Sequence, residues 1–227
     1  MSRFATSSDA GEWDIGMAET VVWQPLDIDN ALQDLGLDRE RLLDVVNYAA
    51  LERSLCTEND AIGFANHLVY DKAGRRLREL YLPRKWVKDD SNNQSAIKNP
   101  ERRIRVVPCN FNEFAGNRLV TPTNKSPKGE VSRKKSICNA TAWLPGIPDV
   151  DPETDKDGYL TWLLGIYIDE TNPTGAELSL PVAFDGNYFT SFGRRILLIS
   201  GGEDGARKGV REGDDAVEVV DIAVRRK

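Results

Sequence analysis

Lysine and arginine side chains crowd the middle of this 227-residue chain. Residues 70–137 contain 17 of them against 7 Asp and Glu, although the whole chain carries a net charge of −6. Clustered cations raise the local concentration of anions even on an acidic protein, and each phosphate that they neutralise releases counterions. The chemistry predicted for this segment is therefore binding of nucleic acid or another polyanion.

Nine of these cations form our candidate anion-binding set. They fall on a predicted helix, on a predicted strand and around a loop rich in proline and glycine: Arg75 and Arg78; Arg103 and Arg105; Lys125, Lys128, Arg133, Lys134 and Lys135. Alternation along the strand predicts that Arg103 and Arg105 face solvent. The set forms one surface only if the fold brings the three groups together. The alternative use of the same charges is pairing with the acidic flanks or with an acidic protein partner.

Few residues of the chain are of the types that form catalytic or metal sites. His67 is the single histidine, which excludes zinc sites built from several histidines. The three cysteines, Cys56, Cys109 and Cys138, are widely spaced and form no C-x-x-C pair, so we predict reduced packing residues. The sequence thus predicts no catalytic residue, no metal ligand and no cofactor.

Carboxylates at the ends of predicted strands leave one enzymatic alternative open. If these side chains converge, they would hold a divalent metal: Asp169, Glu170, Glu177 and Asp185. Their spacing matches no fixed motif. A binding or accessory protein is therefore preferred over a metal-dependent enzyme.

The hydropathy pattern bears on the compartment. No apolar run approaches the ~20 residues that a membrane-spanning helix requires. The first residues lack the basic start and apolar core of a secretory signal. We expect a cytoplasmic protein that does not contact a membrane.

Helical periodicity marks the first third of the chain. Apolar residues recur at helical spacing in residues 39–55, with Asp38 as the N-cap, after a shorter helix that ends at Gly36. A third helix is predicted from residue 57 to the proline at 83, with a weak joint at Gly74.

A strand pattern marks the remainder of the chain. A polar loop at 89–99 precedes a strand at 102–107, and residues 110–136 predict an irregular connection with short strands at 118–121 and 130–132. Runs of Leu, Ile and Val then predict strands at 160–169, 176–184, 195–200 and 216–225.

This order of elements predicts an α+β fold. N-terminal helices would pack on a mostly antiparallel β-sheet formed largely by the C-terminal half. Residues 1–90 would form a mainly helical part and residues 100–227 a mainly β part, or both would belong to one domain. The sequence leaves the oligomeric state open.

Overall fold

A computed structural model describes residues 19–143, 158–169 and 174–200. The helices are α1 (Pro25–Asp34), α2 (Arg39–Ser54), α3 (Phe64–Tyr81) and α4 (Glu130–Trp143). The strands are β1 (Thr20–Val22), β2 (Val87–Asp89), β3 (Ala96–Asn99), β4 (Ile104–Asn110), β5 (Leu160–Tyr167), β6 (Gly175–Asp185) and β7 (Tyr188–Ile199). The predicted strand at 216–225 lies outside the described residues.

The seven strands form one sheet in the order β1-β7-β6-β5-β4-β3-β2. The β1–β7 and β4–β5 pairs are parallel, and the other four pairs are antiparallel. Helices α1 to α3 cover one face of this sheet with a continuous apolar core. The predicted α+β class, with N-terminal helices on a mostly antiparallel sheet, is confirmed.

Capping residues explain where the first helices begin and end. The Asp38 side chain accepts a hydrogen bond from the Arg41 amide at 3.0 Å, which confirms it as the N-cap of α2. Gly36 has a φ of 70°, the left-handed conformation expected after a helix. The third helix starts later than predicted, because Thr57 and Asp60 close a separate turn, with the Thr57 amide 2.7 Å from Asp60 Oδ2.

Gly74 is not a joint in α3, and that prediction was wrong. The helix runs through it without a break. A Cβ atom built at this position would lie 2.6 Å from Ser95 Oγ, so the missing side chain lets the segment before β3 approach the helix. The glycine serves tertiary packing at the expense of helix propensity.

Residues 111–129 and α4 cover the opposite face of the sheet. A Cβ atom at Gly165 would overlap the Phe111 ring, and one at Gly175 would overlap the Ala115 carbonyl oxygen. The loop therefore rests directly on the sheet where two strands present glycine. A second apolar cluster, which includes Phe189 and Phe192, fills the space beside it.

Helix α4 replaces part of the predicted irregular connection. The strand expected at 130–132 is wrong, and residues 118–121 also form no strand. The buried positions of α4 recur at helical spacing but are polar: Ser132, Lys135, Ser136 and Asn139. A periodicity based on hydrophobicity misses such a helix. Strands β2 and β3 lie in or beside the segment predicted as a polar loop.

Asn139 joins α4 to the sheet where β5 and β6 separate. The ladder between these strands runs only from Leu163 opposite Ser179 to Tyr167 opposite Gly175. Beyond it, the Asn139 amide donates to the carbonyl oxygens of Thr161 at 2.8 Å and Pro181 at 2.9 Å. Its oxygen accepts the Thr161 amide at 2.9 Å. One side chain thus satisfies three backbone groups that strand pairing leaves open.

A buried ion pair fixes the loop of residues 111–129 to the sheet, and we call this segment the covering loop. Glu177 and Arg195 are 0% and 1% exposed, and Arg195 Nη2 lies 2.6 Å from Glu177 Oε2. The Gly116 amide donates to the same carboxylate at 2.8 Å. Arg195 donates to the carbonyl oxygens of Asn117 at 2.8 Å and Val120 at 3.2 Å. Burial without these partners would be costly for both charges.

Candidate anion-binding site

A cleft of about 550 Å³ opens at the edge of β4. Strand β3 pairs with β4 only as far as Val106, so the last residues of β4 have no strand beside them on this side within the described part of the chain. The walls of the cleft are residues 92–94 and 127–132. Its apolar floor consists of Val107, Pro108, Cys109, Leu163 and Phe189.

Three lysines of the candidate set line this cleft or a pocket that adjoins it. Lys128 lines the cleft itself. Lys134 and Lys135 line a smaller adjoining pocket of about 230 Å³, which shares Asn92, Glu130 and Val131 with the first. The fold therefore brings together these three residues of the third group. We call this arrangement the lysine cleft.

The first wall of the lysine cleft needs an unusual backbone. Asn92 and Asn93 have φ values of 57° and 58°, the left-handed region that asparagine tolerates better than most residues. The Tyr70 hydroxyl accepts a hydrogen bond from the Ser95 amide at 2.8 Å and ties this wall to α3. Both asparagine side chains are exposed at the rim. The sequence predicted a polar loop here, as two consecutive asparagines suggest, but did not mark either residue as part of a site.

Two arginines of the candidate set hold this wall from behind. Arg78 donates to the Asp89 carbonyl oxygen at 3.2 Å and pairs with Asp90. Arg105 Nε lies 2.6 Å from Asp89 Oδ2, and the two side chains are 1% and 5% exposed. The expectation that Arg105 faces solvent was wrong, because both faces of β4 are covered. These arginines position the cleft and do not line it.

The Asp89 carboxyl, which Arg105 contacts behind this wall, has a shifted pKa. Burial alone would raise the pKa of its carboxyl, but hydrogen bonds from Ser91 and the Arg105 guanidinium outweigh burial and hold this pKa well below its usual 3.8. A carboxyl with a depressed folded-state pKa stabilises the fold above its unfolded pKa. That contribution is lost as the pH falls toward the folded-state value.

We expect Asp89→Asn to lower the free energy of unfolding by about 3 kcal/mol at pH 7, because the buried Arg105 guanidinium loses the opposite charge of the Asp89 carboxylate. The difference from the wild-type protein should shrink at pH 3, measured by urea denaturation at both values. Asp90→Asn is the matched control at an exposed neighbouring carboxylate, with an expected cost below about 1 kcal/mol. An equal loss for Asp89→Asn at both pH values would contradict this role.

The second wall of the lysine cleft is fixed by side-chain amides. Asn124 donates to the carbonyl oxygens of Ser126 at 2.7 Å and Asn187 at 3.0 Å. The Lys128 amide also donates to Asn187 at 2.9 Å, so the turn between β6 and β7 holds Lys128 in place. The Lys135 ammonium, 5% exposed, donates to the side-chain oxygen of Gln94 on the first wall. That contact joins the two walls.

The other candidate cations lie outside the two pockets. Arg75 pairs with Glu79 at 2.8 Å on the exposed side of α3. Arg133 pairs with Glu130 on α4. Arg103 lies 5.7 Å from the centre of the Tyr159 ring, and Lys125 lies 5.9 Å from that of Tyr167. Their part in anion binding stays a prediction.

The structure describes three of the four strand-end carboxylates, Asp169, Glu177 and Asp185. Glu177 is engaged by Arg195, Asp185 lies at the opposite end of the same strand, and Glu170 is outside the described residues. Among the described residues, no three His, Cys, Asp or Glu side chains are grouped as metal ligands.

The remaining candidate residues take ordinary positions. His67 is exposed on α3, as its place in a predicted helix suggested. No disulfide joins the three cysteines, all of which lie in the described residues, and burial raises the pKa of Cys109 on the cleft floor. A thiol in this environment stays protonated and is a poor nucleophile.

Comparisons with protein-family models, with curated proteins and with solved structures found no match to this chain. None of the helices within the described ranges is both long enough and apolar enough to cross a membrane. The functional assignment therefore depends on the chemistry of the lysine cleft.

Proposed function

We propose that this protein is a cytoplasmic binding or accessory protein that holds nucleic acid or another polyanion at the lysine cleft. The observation that carries the proposal is the convergence of Lys128, Lys134 and Lys135 on adjoining pockets. Lys128 and Lys134 suit neighbouring phosphates or another row of anionic groups, whereas Lys135 is buried and donates to Gln94.

The acidic neighbour at the rim of the lysine cleft is Glu130, whose pKa is lowered by the Arg133 guanidinium and by the charge of Lys134. Glu130, the carboxylate shared by the two pockets, is engaged by Arg133. Within the described residues, neither Lys128 nor Lys134 lies within ion-pair distance of a carboxylate. An arriving anion would thus be attracted to these two ammonium groups without first displacing an internal partner.

We expect the double variant Lys128→Glu and Lys134→Glu to bind a labelled 30-nucleotide strand at least about tenfold more weakly at low salt. The slope of log K against log salt should fall by about 0.7 to 0.9 for each phosphate that the variant no longer neutralises. Fluorescence anisotropy across a salt series, with heparin as a second polyanion, measures both quantities.

The matched control is Arg84→Glu with Lys85→Glu, which makes the same change in net charge at exposed positions beyond α3. It should change the affinity less than twofold. Absence of wild-type binding to every polyanion at low salt would overturn the proposal and favour an acidic protein partner. Equal losses in both double variants would also overturn it, because net charge and not the cleft would then govern binding.

A further inference from the structure

We propose that the lysine cleft receives one unstacked nucleotide of a single strand, with its base against the apolar floor and its phosphate beside Lys128 and Lys134. This inference rests on the proposed function and narrows its ligand class. It predicts that the protein prefers single strands to duplexes.

The cleft combines two surfaces that a nucleotide unit requires. Its floor includes Val107, Leu163 and Phe189, which form an apolar surface next to the cationic rim. A purely electrostatic phosphate site needs only the rim, whereas a base needs the floor as well. The volume of about 550 Å³ lies in the range of roughly 300 to 1,000 Å³ typical of small-ligand sites.

The rim also carries groups that can read a base edge. Asn92, Asn93 and Gln94 line the cleft with side-chain amides, which both donate and accept hydrogen bonds. Bases in a duplex are paired and stacked, so only their phosphates would reach the lysines. An unpaired base has a free edge and can leave its stack at lower cost.

The test uses a wall substitution that fills the cleft above its floor and leaves the lysines in place. Val131 is half-buried on the first turn of α4 and lines both pockets, so Val131→Trp should occupy the space of the base. Ile62→Trp is the matched control at a fully exposed position between α2 and α3. Circular dichroism and urea denaturation verify that both variants remain folded.

We expect the wild-type protein to bind a 12-nucleotide strand about tenfold more tightly than a duplex of equal phosphate number, the scale of one stacked base. Val131→Trp should lose this preference and keep its affinity for the duplex, whereas Ile62→Trp should keep both. A nucleoside monophosphate should compete with the strand at millimolar concentration.

Three results would overturn the inference. Equal affinity of the wild-type protein for strand and duplex would leave the polyanion proposal intact but remove the base site. An unchanged strand preference in folded Val131→Trp would place the base elsewhere. A monophosphate that binds more tightly than the strand would identify a free nucleotide as the ligand. If the wild-type protein binds no polyanion at all, the proposed function itself is refuted.

Discussion

Replacement of Arg195 by methionine should lower the free energy of unfolding by about 3 to 5 kcal/mol. The substitution removes the cation that lies 2.6 Å from Glu177 and leaves this carboxylate at 0% exposure. It also removes the donors to the Asn117 and Val120 carbonyl oxygens, which hold the covering loop. Urea denaturation followed by tryptophan fluorescence measures the loss.

Two further variants separate the charge from the packing. Arg195→Met with Glu177→Leu removes both charges, so it should recover part of the loss, limited by the loop groups that stay unbonded. Arg75→Met removes an ion pair of similar length on the exposed side of α3 and should cost less than about 0.5 kcal/mol. A cost for Arg195→Met as small as that for Arg75→Met would show that the buried pair does not hold the loop.

Substitution of Asn139 should have the second large effect. Asn139→Ala leaves the Thr161 amide and the carbonyl oxygens of Thr161 and Pro181 without their partner, in a buried position. Each unsatisfied buried group costs about 1 to 3 kcal/mol, so we expect the three groups together to cost at least about 3 kcal/mol. Asn47→Ala, at an exposed position on α2, is the control and should be neutral or slightly stabilising.

Asn139→Asp gives the same contact a dependence on pH. An ionised carboxylate at this position would face two carbonyl oxygens, so its folded-state pKa should rise above the unfolded value. A raised carboxyl pKa destabilises the fold progressively as the pH increases above about 4. Urea denaturation from pH 4 to pH 8 tests this, and a flat profile relative to the wild-type protein would contradict the proposed contact.

The predictable part of the fold was the part built from apolar periodicity. Helix α2 buries Leu42, Val45, Val46 and Ala49 and has a capping aspartate, so both its face and its start follow from residue type. Helix α4 buries a polar stripe instead, whose members bond to the sheet and to the opposite cleft wall. Such a stripe becomes recognisable only when its partners are known.

The same limit applies to the candidate site. Lys128, Lys134 and Lys135 were in the predicted set, because local charge is visible in a sequence. Arg105 was assigned to the surface because alternation on a half-exposed strand places it there, whereas both faces of β4 are covered. Asn92 and Asn93 enter the site through backbone conformation, which charge patterns do not encode.

The pairing of β1 with β7 has a consequence for synthesis on the ribosome. The first strand of the described chain finds its neighbour only after the last described strand has been made. Helices α1 to α3 meanwhile present an apolar face whose cover comes largely from β5, β6 and β7. Such late, long-range pairing slows folding and leaves a nascent chain exposed to aggregation. We therefore expect the early residues to remain prone to aggregation until the last described strand has emerged from the ribosome.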